Sequence, residues 1–162
     1  MGAENLSSLL WLERDLLDLL TFKLEEEQLL LTAGKSKWLQ HASLEVEQVV
    51  TRLREAGLAR TVAGSAVAIE WGVAEDATLS QLAAAAPAPW NELLQAHLDA
   101  MTAQTTQIKA LRDENEQFLR AAARSAQETI STLLPDAGTY DAHGAPSFAT
   151  ASAGGHLFDK EL

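Results

Sequence analysis

The chain has no cysteine. Disulfides and thiolate metal sites are thereby excluded, and the compartment is left open. Aromatic residues are scarce, at 6% of the chain, although hydrophobic residues make up 47%. Leu and Ala carry most of that apolar content, and both are strong helix formers. β-branched residues are sparse outside one region, so an all-α class follows. Basic residues are also few: 12 Lys and Arg stand against 23 Asp and Glu, for a net charge of -11. Nucleic-acid binding rests on neutralised phosphates, and no basic stripe exists to supply them. The same deficit argues against anionic membrane surfaces. The acids are spread along the chain, as on a solvated surface.

Long hydrophobic runs are missing too. No apolar stretch approaches the roughly 18 residues that a membrane-spanning helix needs. Met1 to Arg14 has no basic segment ahead of its apolar run, so it does not read as a signal peptide. A soluble cytoplasmic protein is expected. The final Asp159-Lys160-Glu161-Leu162 has the wrong order for an ER-retrieval signal and is read as chance. Catalytic signatures are equally absent. There is no G-x-S-x-G, no G-x-x-x-x-G-K-[ST] and no G-x-G-x-x-G. His41, His97, His143 and His156 form no pair at metal-ligand spacing on one helix face. Glu-x-x-His pairs, which a metal site inside a helical bundle requires, do not occur. No enzyme activity, cofactor or metal is expected.

Between Pro89 and Pro135 there is neither proline nor glycine. Trp90, Leu94, Met101, Ile108, Leu111, Phe118 and Ala122 recur at the alternating spacing of a coiled-coil seam, with His97, Gln104 and Asn115 as its polar members. From Ala122 the stripe drifts to Ala126, Ile130 and Leu133, as a heptad pattern slips toward the natural helical period. One helix of about 45 residues is predicted, roughly 65–70 Å long. Asn115 fits either a buried seam position that fixes register or a solvent-facing helix edge. Phe118 at the next seam position favours burial, since a phenyl ring there needs something to pack on.

Ahead of it, Asn5, Ser7 and Ser8 are candidate caps for a first helix running to about Ala33 with a wide leucine face. The run Glu25-Glu26-Glu27 is expected to be solvated, because consecutive helical residues point about 100° apart and cannot converge on one ion. Gly34 suits a C′ position and Ser36 an N-cap, giving an antiparallel helix pair. The second helix has the seam Leu39, Ala42, Val46, Val49, Leu53 and Ala56, with Trp38 expected to pack on the end of helix one. Arg54 to Trp71 fits a strand or continued helix. A lone strand has no partner for its hydrogen bonds, so helix is expected, with Leu58, Val62, Ala66 and Ile69 as its stripe, as a soft or kinked segment weakened by Gly57 and Gly64 and ending at Gly72. Thr78-Leu79-Ser80-Gln81 is a capping box that opens a short helix before Pro87. After Asp136 the composition turns to Gly, Ala, Ser, Thr and Pro, which predicts a flexible tail. The expected architecture is an all-α, elongated antiparallel helical bundle with two long N-terminal helices, a short helix and a long C-terminal helix. Residues 1–134 would form the bundle domain and 135–162 the tail.

This order of parts resembles the FlgN family of flagellar type III export chaperones, in an Ala-rich, actinobacterial-like form. The resemblance runs from about Leu6 to Gly144. It is carried by Asp76-Ala77-Thr78-Leu79-x-x-Leu82-Ala83, by Asn115-x-x-Phe118-Leu119, and by Thr139-Tyr140-Asp141-Ala142-His143-Gly144. One departure is visible: Arg112 stands where the family often has a further Asn. The resemblance implies a cytoplasmic chaperone for hook–filament junction proteins, FlgK-like and FlgL-like. It would bind their helical terminal segments, prevent premature polymerisation, and deliver them to an FlhA-type export gate. The client surface would be Leu111, Asn115, Phe118, Leu119, Ala122, Ala126, Ile130 and Leu133, and the gate-docking residue Tyr140. No nucleic acid or membrane insertion is implied, and the free protein would be a monomer or homodimer. A generic coiled-coil scaffold is the alternative reading of the helices alone.

Overall fold

A computed structural model describes residues 2–134. It contains α1 (Gly2–Thr32), α2 (Ser36–Glu70), α3 (Leu79–Ala85) and α4 (Trp90–Leu133), and no strand occurs among the described residues. The chain divides into two compact units, Met1–Ala122 and Ala123–Leu162. The expected flexible tail, with Tyr140, lies outside the described residues.

Two glycines set the turns. Gly34 (φ 65°) and Gly72 (φ 70°) adopt the left-handed conformation that other residues resist. At Gly34 the N–H of Lys35 donates to Leu30 O at 2.9 Å and that of Gly34 to Leu31 O at 3.2 Å. Val73 to Ala68 O (2.9 Å) and Gly72 to Ile69 O (3.2 Å) repeat the pattern at the end of α2. Both are Schellman closures, which satisfy carbonyls that the helix leaves open. The capping box of α3 is complete: the Thr78 N–H donates to Gln81 Oε1 (2.8 Å) and the Gln81 N–H to Thr78 Oγ1 (3.3 Å).

Within the first unit α1 and α2 are antiparallel. Cross-links run from Lys23–Glu45 at one end to Glu13–Arg60 toward the other. The segment after Gly72 carries the chain back past the start of α1, so α4 runs parallel to α1. Successive hydrogen bonds record this: Ser7 with His97 (3.3 Å), Gln104 Nε2 donating to Asp18 Oδ1 (2.6 Å), and Gln28 Nε2 donating to Glu114 (2.8 Å). Two apolar clusters hold the unit together. Leu6 and Leu10 meet Ala63, Val67, Leu82 and Leu94 where all four helices come together. Leu17, Leu20 and Leu24 meet Val49 and Ile108 further along. Each buried leucine contributes about 1.5–3 kcal/mol.

Several expectations are corrected. α1 begins at Gly2 rather than at a cap among Asn5, Ser7 and Ser8; the Ser8 hydroxyl donates to Glu4 O inside the helix. Lys35, not Ser36, occupies the N-cap of α2, without a side-chain bond. Trp38 is half exposed, with the Lys37 ammonium over its ring and His41 beside it. Arg54 to Glu70 is helical as expected, but its buried stripe is a different one. Ala56, Ala63, Gly64, Val67 and Ala68 face inward, while Leu58, Val62, Ala66 and Ile69 face solvent. The seven-residue repeat Ala42–Val49–Ala56–Ala63 simply continues, and Ala63, Val67 and Ala68 pack with Leu82 of α3 in one apolar cluster. A Cβ on Gly64 would lie 3.7 Å from Leu82 Cδ1.

Two polar groups inside this unit have measurable consequences. Glu13 is buried, and its carboxylate accepts from Arg60 Nε at 2.8 and 3.0 Å. Arg60→Ala strands that charge and is expected to cost about 2–4 kcal/mol, most of it recovered when Glu13→Leu is added; chemical denaturation measures both. His97 is buried edge-on against Trp11, with ring centroids 5.0 Å apart. Desolvation, aided by the Arg14 guanidinium, holds its imidazole below the ordinary range. The unfolded chain therefore takes up a proton first on acidification. Stability from this site is intact above about pH 6.5 and lost as pH falls below it. Melting temperatures at pH 7.5 and 5.5 should show a decline that His97→Gln flattens; an unchanged decline in the variant contradicts the assignment.

Candidate partner-binding groove

The α4 seam is buried as far as Asn115 and uncovered after it. Asn115 is only 2% exposed. Its Nδ2 donates to Leu24 O (2.9 Å) and to Glu27 Oε2 (3.1 Å), so both acceptors lie on α1 and fix the amide's orientation. Glu27 is itself buried, and its Oε1 accepts from the Ser43 hydroxyl of α2 at 2.6 Å. Three helices are therefore tied at one carboxylate. The expectation of a solvated Glu25–Glu27 run fails at Glu27, because that position turns toward both neighbouring helices. Glu26 pairs with Lys23 (2.9 Å), and Glu25 alone is fully outward. Glu45 and Glu26 together raise the Lys23 ammonium above its ordinary range. No group of acids and histidines among the described residues is placed to hold a metal ion.

Beside this junction a groove of about 570 Å³ opens between α2 and α4. Leu20, Leu24 and Asn115 form its floor, Val46 and Val50 one wall, and Leu119 the other. Arg54 and Glu47 on α2, and Arg112, Asp113 and Glu116 on α4, supply a rim of mixed charge. An apolar trough with a charged rim suits one face of an amphipathic helix. Arg112, at the position where a further Asn was looked for, is a rim residue.

The residues singled out by sequence fall into separate environments. Leu111 is half-buried and packs on the Leu17–Leu24 cluster. Asn115 and Leu119 line the groove, with Leu119 partly open to solvent. Phe118 is 42% exposed and outside the groove, contrary to the expected burial. The reason is register: Phe118 lies at the edge of the α4 face that meets α1. Ala122 is exposed. Glu27 is level with Asn115 in the parallel pair, so within the first unit α1 ends at about the level of Arg120. In the second unit, Ala126, Ile130 and Leu133 recur on one side of the helix and are all exposed, Ile130 by 52% and Leu133 by 73%. The α2 wall was not anticipated. Its signal was the off-seam Val50 beside Val49, which widens the apolar face of α2 toward a third helix.

Replacing the buried amide tests the junction. Asn115→Leu removes two hydrogen bonds and is expected to cost about 1–3 kcal/mol. Asn115→Asp sets a second carboxylate against Glu27 and should cost more, with partial recovery on acidification as one of the pair is neutralised. Urea denaturation at pH 7 and pH 5 separates the two; equal, pH-independent losses contradict the arrangement.

No helix among the described residues is long and apolar enough to cross a membrane. Searches of curated proteins and of solved structures each return no match. The sequence profile described as FlgN protein matches residues 1–147. With that span covering nearly all of the 162 residues, the chain belongs to the FlgN family.

Proposed function

We propose that this protein is a non-enzymatic, cytoplasmic export chaperone of the flagellar type III system. It holds the helical terminal segments of hook–filament junction proteins of the FlgK and FlgL kind. The observation that carries the reading is the stretch of α4 beyond Asn115, where Leu119, Ile130 and Leu133 lie uncovered. Exposed apolar side chains at helical spacing are costly in water and match a partner helix. A client helix that covers them would be withheld from polymerisation. Residues 1–134 serve as the client-holding domain and the segment from 135 onward presents Tyr140 to an FlhA-type gate.

Because Phe118 and Ile130 are exposed in the free protein, charges there leave the fold intact. Phe118→Asp and Ile130→Asp are expected to weaken binding of a junction-protein terminal helix by at least tenfold, since each buries an unpaired charge in the complex. Melting temperatures should move little. A large fall in melting temperature, or unchanged client affinity, contradicts the client surface. Tyr140→Ala should leave client affinity unchanged and weaken docking to the purified cytoplasmic domain of the gate. Gate affinity equal to that of the unaltered chain removes Tyr140 from the mechanism.

A further inference from the structure

The outer face of α1 is apolar and acidic at once. Trp11, Asp15, Asp18, Phe22, Glu25 and Leu29 follow one another at alternating spacings of four and three, so they form one seam along the helix. All six are exposed, Trp11 by 53%, Phe22 by 56% and Leu29 by 69%. The seam is about 27 Å long. Leu20 and Leu24, which floor the groove, lie on the opposite side of α1, so the seam is separate from the groove. Among the described residues no lysine or arginine comes within ion-pair distance of Asp15, Asp18 or Glu25. The two cations of α1 are engaged with other groups. Arg14 lies over the Trp11 ring at 4.3 Å, and Lys23 bonds Glu26 and Glu45 with its ammonium 5.3 Å from the centre of the Phe22 ring. Both exposed rings thus already attract positive charge, as the electron-rich faces of aromatic rings do.

We propose that this seam is a docking surface for a cationic amphipathic helix of another protein. Apolar residues of that helix cover Trp11, Phe22 and Leu29, and its lysines or arginines stand opposite Asp15, Asp18 and Glu25. Charge selects this occupant. A second copy meeting the seam through its own seam sets acid against acid in either direction. In a parallel pair each acid meets its own counterpart. In an antiparallel pair Trp11 meets Leu29 and Asp15 meets Glu25. Residues 135–162 of this chain carry Asp136, Asp141, Asp159 and Glu161 against Lys160 alone, so they do not supply the charge either. Spacing selects the form of the partner. A four-and-three alternation held over five turns is matched by one helix lying along another. Acids set between the apolar positions also reject a neutral or acidic helix, which would leave them covered and unpaired. Because the pairs remain open to water, the association is weak and falls as salt is raised. It does not depend on the proposed client surface.

Synthetic helical peptides of about 21 residues, six turns, test this against the full chain. The first carries leucine where it meets Trp11, Phe22 and Leu29, and lysine where it meets Asp15, Asp18 and Glu25. The second has the same composition with those positions scrambled, and the third has glutamate in place of lysine. Fluorescence anisotropy should show the first bound at least tenfold more tightly than either of the others. Asp15→Lys combined with Glu25→Lys should weaken it at least tenfold and admit the glutamate peptide. Glu75→Lys combined with Asp76→Lys makes the same change in charge at exposed positions off the seam and should alter affinity less than twofold. Phe22→Ser should weaken the lysine peptide while leaving the melting temperature unchanged. Equal binding of the first two peptides, or equal losses in the two double variants, reduces the effect to general charge attraction and overturns the proposal. Displacement of the lysine peptide by a junction-protein terminal helix would assign the seam to the client and overturns it as well. So does a mass that doubles with concentration in the unaltered chain but not in Phe22→Ser, which would assign the seam to a second copy.

Discussion

A carboxylate taken out of water must find donors, and Glu27 finds them on two different helices. The hydroxyl of Ser43 on α2 and the amide of Asn115 on α4 both donate to it. Charge-assisted hydrogen bonds of this kind are worth about 1.5–3 kcal/mol each, and a buried carboxylate left without them costs several kcal/mol. Leucine contacts alone tolerate a helix sliding by a turn, because one apolar residue replaces another. Glu27 does not tolerate it. The junction therefore sets the register of α1 against both neighbours, and with it which part of each helix is covered.

From that register the exposed surfaces follow. Within the first unit α4 runs parallel to α1, and its seam is covered up to Asn115 and partly open at Leu119. The groove beside the junction is the space left where Val46 and Val50 of α2 and Leu119 of α4 face each other across Leu20 and Leu24. On α2 the inward heptad is occupied by Ala56, Ala63, Gly64 and Val67, which leaves the larger Leu58, Val62 and Ile69 outside.

Much of this was legible in the sequence. The seven-residue seam of α2 up to Ala56 and that of α4 up to Asn115, the glycine turns at Gly34 and Gly72, and the capping box at Thr78 are local patterns with local causes, and each appears where the pattern puts it. The less legible features depend on a third helix. Glu27 reads as one acid in a run of three, and only the placement of α2 and α4 distinguishes it from Glu25. Leu58, Val62 and Ile69 read as the core of α2 because large apolar residues are expected inside. The inward face of α2 instead carries Ala56, Ala63, Gly64, Val67 and Ala68, and residue size misdirected the reading. Phe118 was expected inside for the same reason, and its exposure follows from where α4 turns relative to α1.

Hydrogen–deuterium exchange of the full chain, with and without a peptide spanning the terminal helix of a junction protein, tests most directly whether the uncovered end of α4 is a client surface. Added protection should appear in α4 from about Leu111 to Leu133 and along the Val46–Val50 wall of α2, with the Leu58–Ile69 stripe unchanged. Protection confined to other helices, or none at saturating peptide, would contradict it.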